Sequence, residues 1–389
     1  MVHYPNGKKY GVMRNHKRRR GVAIVLALFL MTVLIGMLAF SVDIGYLAAS
    51  KSELRRTADS AALAGAWQVL DSSIQGQNEG VMTGAVVTTT SQAATLNRVC
   101  NASPTLSTSH DISVGYLPSL EAGSSITTDP NNPYRAVKVV IRRTEESNGK
   151  VPYFFARIFG KSGHELTAEA TAATATQVRG FNSPGGGSGD TLDILPFALD
   201  ETTWNDLMNC GGTDNYRVNS ATGSVVSGTD GIKEVNLYPQ GTGSPGNRGT
   251  VDIGGANNST ADIARQIVYG ISAEDLVDLG KPLLLDALGE MTLNGDTGIS
   301  AGVKDELTSI IGQVRIIPVF STVSMNGNNA MYTIKKWVGV RVMAVRLTGP
   351  MKSKHVMVQP APVIIRNVVP GDASRSWSSH VYSPVVLVH

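Results

Sequence analysis

The chain has 389 residues, 42% of them hydrophobic and only 17% charged, with 41 glycines. That length suits two or three domains, and the low charge excludes a coiled coil or a polyelectrolyte. The net charge of +3 is uneven: seven of the 34 Lys/Arg fall within residues 1–20, leaving 27 against 31 Asp/Glu, so the body offers nucleic acid no electrostatic basis.

Residues 1–20 form a basic segment that ends in His16-Lys17-Arg18-Arg19-Arg20. Residues 21–42 follow, uncharged, with only Thr32 and Ser41 as hydroxyls. No other stretch is apolar enough to span a bilayer, which excludes a polytopic transporter. As a helix this stretch covers about 33 Å, close to the ~30 Å hydrocarbon layer. A single span must be helical to satisfy its amides. Gly21, Leu30, Gly36 and Val42 mark its course, and residues 21–47 take in the span and its exit. The basic flank predicts a cytoplasmic N-terminus and an exported remainder. Two other readings stay open: a cleaved signal peptide, with Ala39-Phe40-Ser41 as a poor small-x-small site, and a buried core helix.

Beyond Val42 the helix is expected to continue, because Asp43 to Leu70 lacks proline and is rich in Ala, Leu, Arg and Glu. Leu54, Ala58, Ala61 and Gly65 fall on one stripe whose small residues admit a close neighbour. That neighbour is either the protein's own domain or another subunit. Asp43, the one acid next to the apolar stretch, would pair with a partner's cation or meet lipid headgroups.

Three segments then carry a family likeness: Arg19-Arg20-Gly21-Val22-Ala23, Val42-Asp43-Ile44-Gly45-Tyr46-Leu47, and Leu54 to Ala66 with its Ala58-Asp59-Ser60-Ala61-Ala62-Leu63-Ala64-Gly65-Ala66 core. Together, over about residues 16–70, they resemble the TadE/TadG-like N-terminal module of Flp (Tad) pilus-assembly proteins. The resemblance implies a structural, non-enzymatic assembly component, single-pass in the bacterial inner membrane, with no cofactor. Its partners would be the lipid bilayer and other pilus-assembly membrane proteins or pilins, and it allows a homo-oligomer. Two features depart from relatives. Leu26 stands where pilin-like members carry Glu, which argues against prepilin processing. Asp71-Ser72-Ser73-Ile74-Gln75 ends in Gln, which breaks the Asp-x-Ser-x-Ser metal motif.

Residues 48–180 are read as the exported helix plus a small α+β unit. Residues 72–133 are polar and turn-rich, with a short helix near Thr90–Cys100. Alternation predicts strands over 136–142 and from Leu166 to Thr176. Pro152 to Gly160 reads as a short apolar helix. Residues 181–190 are a Gly/Ser linker.

Residues 191–389 form a β-rich exported domain. A hairpin is expected at 215–227, strands at 232–238, 249–253, 314–323, 330–347 and 354–366, helices at 260–270 and 301–312, and a turn at 293–297. Four prolines confine the C-terminal stretch to edge strands or loops. The expected fold class is α+β: a single N-terminal transmembrane helix continuing into an exported helix, followed by two β-rich exported units.

Little chemistry is written in the motifs. Gly241 to Gly246 matches GxGxxG but continues into a strand instead of a helix. Gly298-Ile299-Ser300-Ala301-Gly302 matches GxSxG, and Asp372 and His380 follow in hydrolase order, but no buried parallel strand precedes it. A membrane-tethered hydrolase using Ser300 is one alternative, and a secreted adhesin the other. Scattered histidines and acids supply no metal set. Cys100 and Cys210 would lie on the exported side, where a bridge across the linker competes with two separate thiols.

Overall fold

The computed structural model describes residues 1–2, 7, 20–185, 190–238, 248–255, 259–296, 299–325 and 327–388. The architecture is mixed helix and sheet, with one long apolar helix at the N-terminus and β-rich regions after it.

Helix α1 (Arg20–Ile74) runs unbroken for 55 residues, about 80 Å at 1.5 Å per residue. Its two halves live in different surroundings. From 22 to 42 every residue is exposed except half-buried Ala39. From Asp43 onward one stripe is buried: Leu54, Ala58, Ala61, Ala62, Ala66 and Val69. Helix α2 (Glu79–Leu96) packs against it, opened by Asn78, whose side chain accepts from the Val81 amide. This helix begins eleven residues before the expected Thr90. Its Val86-Val87-Thr88-Thr89-Thr90 run has weak helix propensity, so only packing against α1 commits it to helix.

Both helices lie on a four-stranded sheet. Strands β1 (Ile112–Leu117), β2 (Tyr134–Arg143) and β5 (Leu166–Thr174) are antiparallel neighbours, with β2 central among the three. The register sets Val137 opposite Ala172, Val139 opposite Ala170 and Ile141 opposite Ala168. All six are buried in one core with the α1 stripe. Alanines on β5 keep that face low, so α1 can approach closely. Between β2 and β5 lies a small hairpin, β3 (Val151–Pro152) and β4 (Gly163–His164). Its loop holds a 3-10 turn, Ala156–Phe159, ended by Gly160 at φ 78°. The expected helix over Pro152–Gly160 is therefore corrected to a strand, a bend and a single turn. Its first residue, Pro152, belongs to the β3 ladder.

The fourth strand comes from the far end of the chain. Val386–Val388 pairs antiparallel with β5, with Leu387 opposite Ala172. Just before it, the Ser383 hydroxyl accepts the Ala175 amide at 2.7 Å, and Thr174 Oγ1 donates to the Ser383 carbonyl at 2.9 Å.

Residues from Val178 to Tyr382 build a second body. Its main sheet closes on itself: Ala330–Arg346 pairs with Met291–Asp296, which pairs with Arg248–Val251, which pairs with Phe197–Asp200. Phe197–Asp200 then runs parallel to Val314–Ser324, which returns to Ala330–Arg346. Closure leaves these strands without free edges. The hairpin at 216–227 and helix Thr260–Tyr269 lie where expected. The turn expected at 293–297 is corrected: Met291–Asp296 is a strand, and Gly295 is accommodated because the Thr250 carbonyl and the Tyr332 ring leave no room for a Cβ. Helix Glu201–Met208, capped by Asp200, had no counterpart in the sequence reading. It begins directly on a strand, so no turn signal separates the two.

Candidate functional site

The feature with the most unusual chemistry lies where α1 passes from its exposed half to its packed half. Asp43 is buried to 4%. Its Oδ1 accepts the amides of Phe154 at 2.7 Å and Phe155 at 3.2 Å, and its Oδ2 accepts those of Phe155 at 3.2 Å and Ala156 at 2.8 Å. These three amides open the 3-10 turn and have no partner within it. Burial by itself would raise the Asp43 carboxyl, but the amides of Phe154, Ala156 and Phe155 outweigh it and hold the group below its usual range. The headgroup or partner-cation role expected for Asp43 is corrected: its partners are backbone amides of its own chain.

One turn further, the Tyr46 ring meets Phe154 edge-on at 5.0 Å. Ser50 accepts the Cys100 thiol at 3.1 Å, and Glu53 Oε2 accepts the Cys100 amide at 2.8 Å. Positions 43, 46, 50 and 53 recur at helical spacing, so one face of α1 is fastened at every turn. The clamp ties α1, at the junction of its exposed and packed halves, to the loop between β3 and β4.

The stripe residues face inward. Leu54, Ala58 and Ala61 are fully buried in the core shared with α2, β2 and β5. A Cβ on Gly65 would strike Thr90 Oγ1 and come within 2.9 Å of Val137 Cγ1. The subunit-contact alternative for this stripe is corrected accordingly, since the protein's own domain fills it.

Cys100 and Cys210 are free thiols, so the bridge held open by the sequence is not formed. Cys100 is occupied against α1, while Cys210 sits exposed after helix Glu201–Met208. Ser300, Asp372 and His380 each have partners elsewhere. Ser300 caps the turn at Ala301–Val303, Asp372 accepts from Ser374 and Trp377, and His380 shares a hydrogen bond with Ser379 and stacks edge-on with Trp204. The hydrolase constellation is not assembled. Gly298 lies outside the described residues, as does the GxGxxG run at 241–246. Among the described residues no cluster of His, Cys, Asp or Glu could hold a metal ion.

One feature escaped the sequence reading. Phe154, Phe155, Ile158 and Phe159, read there as an apolar helix, point outward from the clamped loop. The signal lay in Arg157 and Lys161, which interrupt the apolar run too closely for a buried helix.

By length and composition α1 is apolar enough to cross a membrane. Residues 21–68 match the family model described as "Putative Flp pilus-assembly TadE/G-like", and residues 64–172 match the one described as "Putative Tad-like Flp pilus-assembly". No curated protein and no solved structure matches the chain significantly. The first match covers α1 through its clamp and stripe, and the second covers α2 and the sheet to Ala172. Over residues 21–172 this chain is therefore similar to the TadE/G-like and Tad-like Flp pilus-assembly families.

Proposed function

We propose that the protein is a structural component of a Flp (Tad) pilus-assembly system, held in the bacterial inner membrane by residues 21–42. Gly21, Leu30, Gly36 and Val42 lie within the span, and the N-terminus stays cytoplasmic. The residues from 48 onward are exported to meet pilins or other assembly proteins.

The observation that carries this reading is the two-sided nature of α1. Fifteen large apolar side chains between Val22 and Val42 are exposed. In water their exposure would cost on the order of 20 kcal/mol, more than the whole stability of most domains. A bilayer removes that cost. The same helix runs unbroken through Ala39-Phe40-Ser41 into the Asp43 clamp, which favours an uncleaved anchor over a signal peptide.

A reporter enzyme active only outside the cytoplasm, fused after His389, tests the topology and should be active. Activity of a cytoplasmic reporter at that position would overturn the orientation. Deleting the gene should abolish surface fibres, and deletion mutants with a normal fibre yield would refute the assembly role.

A further inference from the structure

We propose that the loop Phe154–Phe159 is a second membrane contact, inserting its apolar side chains into the phospholipid leaflet from which α1 emerges. The inference rests on the anchor reading above and extends it to a part of the chain 111 residues away from Asp43.

Four large apolar side chains crowd into six residues. Ile158 and Phe159 are 82% and 84% exposed, and Phe154 and Phe155 are exposed as well. Phe154 meets Tyr46 edge-on, while Ile158 and Phe159 stay uncovered among the described residues. The Asp43 clamp sets their height, because it fixes the loop amides at the first residue past the uncharged stretch. Ala39, one turn earlier, is the one half-buried residue from 22 to 42, and α1 touches the 3-10 turn. The loop therefore continues the apolar belt of α1 sideways at the depth where hydrocarbon gives way to headgroups.

The remaining side chains suit that depth. Arg157 and Lys161 are exposed and have no ion pair among the described residues. Long cationic side chains reach from an apolar surface to lipid phosphates. Phenylalanine side chains on the apolar face of interfacial segments bury at the boundary of headgroups and acyl chains. The loop is also held outward, since three of its amides are spent on Asp43 and Gly160 turns the chain back at φ 78°.

Full-length protein in phosphatidylethanolamine–phosphatidylglycerol vesicles provides the test. Photoreactive benzoylphenylalanine replaces Phe159, and in separate preparations Met31 or Leu288, with lipid adducts scored by mass. Leu288 is exposed, and its carbonyl accepts from Arg375 in the second body. Lipid adducts at 31 and 159, with none at 288, are the expected result. Adducts at 31 but none at 159, or protein adducts at 159, would overturn the loop contact while leaving the anchor standing. Absence of adducts at 31 would overturn the anchor and the loop contact with it. Asp43→Ala should cut the yield at 159 several-fold and leave that at 31 unchanged. An unchanged yield at 159 would overturn the clamp's part in positioning the loop.

Discussion

The Asp43 carboxylate accepts the Phe154 amide at 2.7 Å across 111 residues of sequence. A carboxylate that satisfies three amides at once fastens a long helix to a sheet hairpin without needing a cation. Its consequences are open to measurement.

Asp43 is held below its ordinary range, so the unfolded chain takes up a proton at higher pH than the folded one. Its contribution is full above the unfolded carboxylate value of about 3.9 and is lost as pH falls through the lower folded value. Hydrogen exchange should show amides 154–156 protected at neutral pH and released in that acid window. Asp43→Ala should release the same amides at neutral pH, and continued protection would show that the hairpin holds itself.

Gly65 sits against Thr90 and Val137. Gly65→Leu should destabilise the protein by about 1–3 kcal/mol or more and lower its abundance. Thr90 Oγ1 is buried with no hydrogen-bond partner among the described residues, so Thr90→Ala should be mild by comparison. Combining Thr90→Ala with Gly65→Ala should recover part of the loss from Gly65→Ala alone, a coupling read from denaturant midpoints. Strict additivity would mean that the two sites do not meet.

His380 is kept neutral by burial, which lowers its proton affinity in the folded state. The unfolded chain therefore binds the extra proton first, and stability falls as pH drops from about 6.5 through the lower folded value. Thermal unfolding across this range should show the decline. His380→Asn should flatten it, because asparagine tolerates the φ of 61° at that position. An equal slope in the variant would assign the effect to other groups.

Free thiols at Cys100 and Cys210 predict equal mobility on reducing and non-reducing gels. Maleimide should label exposed Cys210 well before Cys100, whose thiol is engaged by Ser50. A mobility shift on reduction would reinstate the bridge.

What the sequence determined by itself was local. The uncharged stretch 21–42, the small stripe at Leu54, Ala58, Ala61 and Gly65, and the strands near 136–142 and 166–176 each announce themselves within a dozen residues. Burial of one face imposes a period of 3.6 or 2 on neighbouring positions. Tertiary structure decided what each surface meets. It turned the stripe inward onto α2 and the alanines of β5, bound Asp43 to amides, closed the ring of strands around Ala330–Arg346, and brought Val386–Val388 back beside β5. It also sent Phe154 and Phe159 outward, although their composition matches a core segment. These outcomes join residues as far apart as Thr171 and Val388, 217 positions along the chain. Such pairings depend on strand order and close packing, which no short window of sequence contains.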